Sequence, residues 1–210
     1  MNKTNPKGEA DMIKRITGLI LIFAFLMMLP LQGYAATPKE TVETGVTNLL
    51  GTLGDAAFKA KPKDKQIEII GTEIDKVFDF KEMSRRTLGR NWKKMSAEQR
   101  TEFVSLFKKL LQGVYADRLL AYSDQKVLFD KEIMLKKGRA EVQSYLQTSD
   151  GTKIPLFYRL TDKSGSWKVY DIIIEGVSMV KNYRTQFKQI LSKGSPDKLL
   201  EILRKKTKQG

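Results

Sequence analysis

Apolar residues recur every three or four positions in the first part of the chain after residue 36, which is typical of helices that bury one face. One such stretch runs from Thr37 to about Ala57, and a second begins at Asp64. A third begins at Ser96, where a glutamine three residues later gives the pattern in which each side chain caps the other's backbone N–H. This stretch continues to about Tyr122. The pattern therefore predicts three helices, with short helical turns before the third.

The period changes to two after residue 125, where β-branched and aromatic residues alternate with polar ones. Short links rich in Gly, Ser and Asp divide this region into four strands. The predicted strands are Lys126–Lys136, Arg139–Thr148, Lys153–Thr161 and Ser166–Ile174. Links this short join neighbouring antiparallel strands, so the sequence predicts a four-stranded antiparallel β-meander.

The last predicted strand leads directly into another helix. After Glu175 and Gly176, the apolar residues from Val177 return to helical spacing and keep it until Gly194. A serine, a proline and an aspartate then signal the start of a final helix. The predicted fold is α+β, with the meander packed against N-terminal and C-terminal helices. More large apolar side chains face inward than four short strands need, so two interpretations stay open: a closed core, or an apolar cavity that holds a ligand.

The first 35 residues have the pattern of a secretory signal peptide. Lys14 and Arg15 precede an apolar run of about 14 residues, and Gly33 and Ala35 are small residues at the −3 and −1 positions of a cleavage site. The run is shorter than the ~20 residues that a membrane-spanning helix needs, which argues against the alternative of an uncleaved anchor. We therefore expect cleavage after Ala35, export, and a single domain over residues 36–210.

Composition narrows the chemistry that the chain can perform. It contains no histidine and no cysteine, so Cys nucleophiles, Ser-His-Asp triads and zinc or haem sites built on these side chains are unavailable. The first 35 residues carry four of the 38 Lys and Arg and two of the 24 Asp and Glu, which leaves a net charge of +12 on the remainder. Such a charge indicates an anionic partner, either nucleic acid or an anionic membrane surface, and export argues against nucleic acid.

Several short motifs stand in a fixed order between Phe78 and the C-terminal helix. They are FKEMSRRTLGRNW at residues 80–92, QRTEF at 99–103, Leu110-Leu111 with Tyr115, YRL at 158–160, WKVYD at 167–171, IEGVS at 174–178 and NYRTQF at 182–187. Together they resemble the MlaC family, also called toluene-tolerance proteins. Several separate motifs in one order, covering most of the chain after residue 35, make the resemblance specific.

The resemblance implies a soluble periplasmic carrier that moves phospholipids between the inner and outer membranes. Members of this family hold the acyl tails between sheet and helices and leave the headgroup near solvent. They exchange lipid with the MCE-domain protein of an inner-membrane ABC transporter and with an outer-membrane lipoprotein complex. The resemblance also implies a monomer with no cofactor besides its lipid cargo. A related branch is tied to hopanoid lipids, and the sequence leaves this alternative open.

The expected lipid contacts follow from the predicted elements. We expect the tails to contact an apolar set drawn from the helices, the sheet and the last corner: Trp92, Phe103, Phe107, Leu111, Tyr115, Val142, Leu156, Tyr158, Val169, Ile172 and Val180. Polar residues beside the strand-to-helix corner, Lys181, Asn182 and Arg184, are the headgroup candidates. The alternative for Arg184 is a salt bridge to Asp171 or Glu175.

Two other functions stay open at this point. Asp171 and Glu175 are four residues apart and could lie on one face of an apolar cavity, as carboxylates do in isomerases and hydratases with nuclear-transport-factor-like folds. Such an enzyme would lose turnover in Asp171→Asn. A chaperone-like binder of apolar peptides would instead come out of cells without lipid.

Overall fold

The helices begin where the sequence supplies caps. The Thr37 hydroxyl accepts the N–H of Glu40 at 3.1 Å, and the Glu40 carboxylate accepts the N–H of Thr37 at 2.8 Å. Ser96 and Gln99 form the same reciprocal pair, at 3.0 and 3.2 Å. Each pair satisfies two backbone donors that a helix start leaves free, which confirms the predicted starts of the first and longest helices.

The computed structural model describes residues 36–122, 125–163 and 165–208, and the predicted signal peptide lies outside them. The helices are α1 (Pro38–Gly54), α2 (Ala56–Lys59), α3 (Lys63–Val77), α4 (Phe80–Leu88), a 3₁₀-helix (Gly89–Lys94), α5 (Ala97–Leu120), α6 (Met179–Lys193) and α7 (Pro196–Lys208). The strands are β1 (Lys126–Lys136), β2 (Arg139–Gln147), β3 (Lys153–Lys163), β4 (Ser166–Ile174) and β5 (Val177–Ser178). Among the described residues, no helix is both long and apolar enough to cross a membrane.

The sheet is an antiparallel meander in the order β1-β2-β3-β4-β5, so the prediction of an α+β fold is confirmed but the number of strands is five instead of four. Glu175 and Gly176 have φ angles of 50° and 80°, and two consecutive positive φ angles are typical of a tight hairpin turn. The turn folds the chain back so that Val177 pairs with Ile174. Val177 is consequently 60% exposed, and the helix predicted to open there begins at Met179.

The buried side chains form three clusters. A C-terminal cluster joins α4, α5, α6 and α7 and includes Phe103, Phe107, Phe187 and Leu199. A second cluster joins α1 to the inner face of the sheet, and a third joins α1, α2 and α3. The second and third clusters flank a space that side chains do not fill.

Candidate functional site

A cavity of about 550 Å³ lies between the inner face of the sheet and the helices α1, α3 and α5. Its volume is within the range of ~300–1,000 Å³ that is typical of ligand sites. Most of its wall consists of aliphatic side chains. Those from α1 and α3 are Val42, Val46, Leu49, Leu50, Leu53, Ile67, Ile70, Ile74 and Val77, and those from the strands are Val127, Leu146, Ile154, Leu156, Ile172 and Ile174.

The sheet side of the wall follows from strand alternation. Ile154, Leu156 and Tyr158 are two residues apart on β3, so their side chains lie on one face of the sheet. Directly paired residues share a face, and Leu146 pairs with Ile154 while Leu156 pairs with Ile174. The apolar face therefore continues across the strands as one surface.

The helical side of the wall depends on the close approach of α1 and α3. Gly45 of α1 faces Val77 of α3, and a Cβ atom at Gly45 would overlap the Val77 side chain. Val46, Leu49 and Ile74 are only half-buried although they point inward, because they border the cavity instead of other side chains. The wall thus keeps apolar surface accessible inside the protein, where a ligand could cover it.

Charged groups are few in the wall. Glu73 forms an ion pair with Lys76 at 2.7 Å. Arg118 is the only cation of the wall among the described residues; its guanidinium carbon lies 5.7 Å from the centre of the Tyr115 ring, and it forms no ion pair with a described residue. The Glu175 carboxylate likewise has no described cation as a partner.

The unpaired charges lie at one end of the sheet. Glu175 directly follows β4, and its N–H donates to the carbonyl of Pro155 near the start of β3 at 3.0 Å. Arg118 belongs to the last turn of α5. One turn further on, the Tyr122 hydroxyl donates to the carbonyl of Gln125 at 2.6 Å, just before β1 begins. The wall is therefore apolar along most of its length and polar where β1 and β3 start.

The structure places five of the eleven residues predicted to contact lipid tails in the cavity wall. They are Leu111, Tyr115, Leu156, Tyr158 and Ile172. Tyr158 is buried, and burial raises the pKa of its phenol, so this wall group stays neutral.

The other six predicted tail contacts do not line the cavity. Trp92, Phe103, Phe107 and Val180 belong to the C-terminal cluster, and Val142 and Val169 lie fully buried in the cluster between α1 and the sheet. For Phe103 and Phe107 the reason is the length of α5, since its first half packs against α6 and α7 and only its second half reaches the cavity.

The three headgroup candidates lie on the exposed side of α6. Met179 is the one residue of this helix that lines the cavity. Lys181 and Asn182 are exposed. Arg184 donates from Nε to the carbonyl of Arg86 at 2.9 Å, so it ties α6 to α4 and forms neither of the two predicted salt bridges. The prediction missed that the chain turns back through β5 before α6 begins.

The carboxylate pair considered for catalysis does not converge on the cavity. Asp171 accepts the Ser178 hydroxyl at 2.6 Å and the Val180 N–H at 2.9 Å, so it caps the start of α6. Burial raises the pKa of Asp171, while these two hydrogen bonds lower it. Asp171 lies outside the cavity wall, whereas Glu175 is part of it.

A second carboxylate forms ion pairs within α4, the helix that contributes Phe80 and Met83 to the wall. Glu82 accepts hydrogen bonds from Arg85 and Arg86 at 2.7 and 2.8 Å. The hydrogen bond from Arg85 is the largest cause that lowers the pKa of Glu82 to about 2, against the opposing effect of burial. Glu82 is therefore ionised at neutral pH and holds both arginines in place.

Sequence reasoning missed the wall contributed by α1 and α3. The apolar spacing of both helices was visible, with Val42, Val46 and Leu49 on one and Ile67, Ile70 and Ile74 on the other. Spacing identifies the face that turns inward but gives no information about whether another side chain meets it. The missing information is the distance between the helices and the sheet, which the sequence pattern does not contain.

Comparison with known proteins identifies the family. Residues 43–205 match the family model described as MlaC protein. The toluene tolerance protein ttg2D of Pseudomonas putida is 28% identical over 86% of this chain and 84% of its own length. The intermembrane phospholipid transport system binding protein MlaC of Haemophilus influenzae is 33% identical over 59% of this chain and 60% of its own length.

A solved structure shares the fold. The phospholipid-binding protein of Ralstonia solanacearum, determined in complex with a phospholipid, matches with a TM-score of 0.76 and 29% identity over 83% of this chain and 98% of that one. The sequence motifs, the family model and this structure agree, and the chain belongs to the MlaC family.

Proposed function

We propose that the protein is a periplasmic carrier that holds a phospholipid in the cavity between the sheet and α1, α3 and α5. The observation that carries the proposal is the cavity itself, which has an almost entirely aliphatic wall and, at one end, two charged side chains without an ion-pair partner among the described residues. Its relatives support the cargo, since one is named as a phospholipid transport protein and another was solved with a phospholipid bound. This function is binding and transport without catalysis.

The physical need for such a cavity is large. Each buried methylene is worth ~0.8 kcal/mol, so two tails of about fifteen carbons each resist transfer through water by roughly 20 kcal/mol. A carrier lowers this barrier only if apolar surface surrounds the tails and the protein's outside stays polar. The aliphatic surface that lines the cavity is suited to this task.

The predicted signal peptide and the family support a location and partners for this carrier. The protein is exported to the periplasm and exchanges lipid with an MCE-domain protein of an inner-membrane ABC transporter and with an outer-membrane lipoprotein complex. Transport between the two membranes supports the lipid composition of the outer one.

Within this proposal, the headgroup lies at the polar end of the cavity. An arginine forms strong, charge-assisted hydrogen bonds with a phosphate, and Arg118 is the one cation that the described wall offers. Its guanidinium lies near the ring of Tyr115, another wall residue, and is free of carboxylate partners among the described residues. We therefore propose Arg118 as the headgroup ligand instead of Lys181, Asn182 and Arg184, none of which lines the cavity.

Native mass spectrometry of the protein purified without detergent, followed by lipid extraction, tests the function. We expect a stoichiometric phospholipid adduct. A hopanoid adduct would keep the cavity's role as a lipid site but change the cargo. It would also contradict the role of Arg118, because a lipid without phosphate offers this arginine no anion to bind. A protein that stays free of lipid after incubation with phospholipid vesicles would overturn the carrier function.

Arg118→Gln tests the position of the headgroup. A charge-assisted hydrogen bond contributes ~1.5–3 kcal/mol when desolvated and less at an exposed rim, so we expect phospholipid affinity to fall about tenfold. The measurement is competition between lipids with and without a phosphate headgroup. Lys109→Gln, an exposed position on the same helix but outside the wall, is the control for net charge. Equal loss of affinity in both variants would contradict the assignment.

A further inference from the structure

The hairpin formed by β1 and β2 exposes three consecutive apolar residues near its tip. Ile133, Met134 and Leu135 are 38%, 54% and 47% exposed. Together with Lys131, Lys136 and Lys137 they form what we call the hairpin tip. Three neighbouring large apolar side chains in water are unfavourable unless another surface covers them.

The exposure follows from the register of β1. Ile133 pairs with Glu141 and Met134 pairs with Ala140, so their side chains point to opposite faces of the hairpin. A register shift between Met134 and Lys136 leaves Leu135 without a paired residue. Apolar surface is therefore accessible on both faces of this strand instead of one.

The residues around the tip are basic. Lys131, Lys136, Lys137 and Arg139 stand within nine positions, and none of them forms an ion pair with a described residue. Glu132 is the one acidic residue in the same nine positions, and its carboxylate accepts the N–H of Lys39 at 2.9 Å. The hairpin tip thus combines exposed apolar side chains with an excess of free positive charge.

We propose that the hairpin tip docks on the surface of a bilayer that contains anionic phospholipid. Apolar side chains on both faces of a strand are covered together when the tip enters the boundary between headgroups and acyl chains, whereas a flat protein surface would cover one face. The lysines flank the apolar residues at positions where they can bind lipid phosphates. This site is separate from the lipid cavity and does not depend on the cavity's cargo.

The position of the hairpin tip is compatible with a loaded cavity. Lys136 and Arg139 form the last pair of β1 and β2 at one end of the sheet, while Lys126 and Gln147 form the last pair at the other. Arg118 and Gln125 line the cavity near that second end. Docking through the hairpin tip therefore leaves the polar end of the cavity uncovered.

Co-sedimentation with lipid vesicles tests the proposal. We expect the protein to pellet with phosphatidylcholine vesicles that contain phosphatidylglycerol, to bind less at high salt, and to remain in solution with phosphatidylcholine alone. Lys136→Gln with Lys137→Gln should weaken binding about 25-fold, because each lysine near an anionic surface contributes about fivefold. Replacing Ile133, Met134 and Leu135 with serine should weaken it about tenfold or more.

Two exposed positions on α5 serve as matched controls. Val114 is as exposed as Leu135, at 47%, and Val114→Ser should bind vesicles like the unchanged protein. Lys109→Gln controls for net charge and should weaken vesicle binding less than the loss of either lysine of the tip. Binding that ignores anionic lipid, or that survives in both tip variants, would overturn the proposal. The absence of any vesicle binding would also overturn the proposal, because it would leave another protein, and not a bilayer, as the partner of the hairpin tip.

Discussion

We expect Leu156→Trp to lower the affinity of the protein for phospholipid about fiftyfold. Leu156 lies in the sheet side of the cavity wall, so the larger indole extends into space that the proposed ligand occupies. If it displaces about three methylene groups at ~0.8 kcal/mol each, the loss is about 2.4 kcal/mol. The amount of lipid bound per protein, measured by native mass spectrometry after competition with vesicles, reports the effect.

A pair of neighbouring residues on β1 supplies a second variant and its control. Val127 lines the cavity, whereas Leu128 is the next residue, points to the other face of the sheet and is 37% exposed. Val127→Trp should reduce bound lipid, and Leu128→Trp should not. If Leu156→Trp and Val127→Trp both kept the full amount of lipid, the ligand would lie outside this cavity.

Stability separates a blocked cavity from a damaged fold. Filling an empty apolar space adds contacts, so Leu156→Trp should leave the free energy of unfolding of the lipid-free protein unchanged or slightly higher. The comparison must use lipid-free protein, because a bound lipid stabilises the native state by mass action. Loss of both lipid and stability would mean that the indole does not fit the cavity.

Much of the fold could be predicted from local chemistry. The capping pairs at Thr37 and Ser96 and the short links between the four long strands depend on residues that are close in sequence. Such signals act within a few residues, so they specify where elements begin and end without knowledge of the rest of the chain. The α+β class follows from their order.

The fifth strand was the exception, although its signal was local. Glu175 and Gly176 form a two-residue turn, and only two residues follow before the helix begins. A strand this short has no alternation to detect, and Val177 and Val180 fit a helical spacing equally well. The prediction therefore merged β5 with α6, and its headgroup candidates lie on α6, outside the cavity wall.

The division between cavity and core could not be predicted. Phe107 and Leu111 are one helical turn apart on α5, have the same apolar character and belong to the same buried cluster, yet only Leu111 also borders the cavity. What separates them is what each side chain faces: the Phe107 ring is surrounded by rings such as Tyr183 and Phe187 of α6, whereas Leu111 also faces the cavity. This is a property of packing between distant segments, on which periodicity carries no information.

Phe107→Ala tests this division and should be the most destabilising of the proposed changes. The Phe107 side chain is 0% exposed, and its ring centre lies 5.1 to 5.7 Å from those of Tyr183, Phe187 and Phe103. Truncating a buried phenylalanine costs ~3–5 kcal/mol, which includes the cavity left behind. Urea unfolding of the lipid-free protein measures the loss, and Val114→Ala, at an exposed position of the same helix, should cost less than ~0.5 kcal/mol.

Under conditions where Phe107→Ala remains folded, it should bind as much phospholipid as the unchanged protein. Phe107 is not part of the cavity wall, although Met83, Leu111 and Met179 of the same cluster are, so shortening Phe107 removes packing energy without removing a wall residue. The two variants should therefore change different quantities: Leu156→Trp lowers the amount of bound lipid, and Phe107→Ala lowers the free energy of unfolding. A folded Phe107→Ala protein that had lost its lipid would instead place the acyl tails among the aromatic residues of α5 and α6, as the sequence alone had suggested.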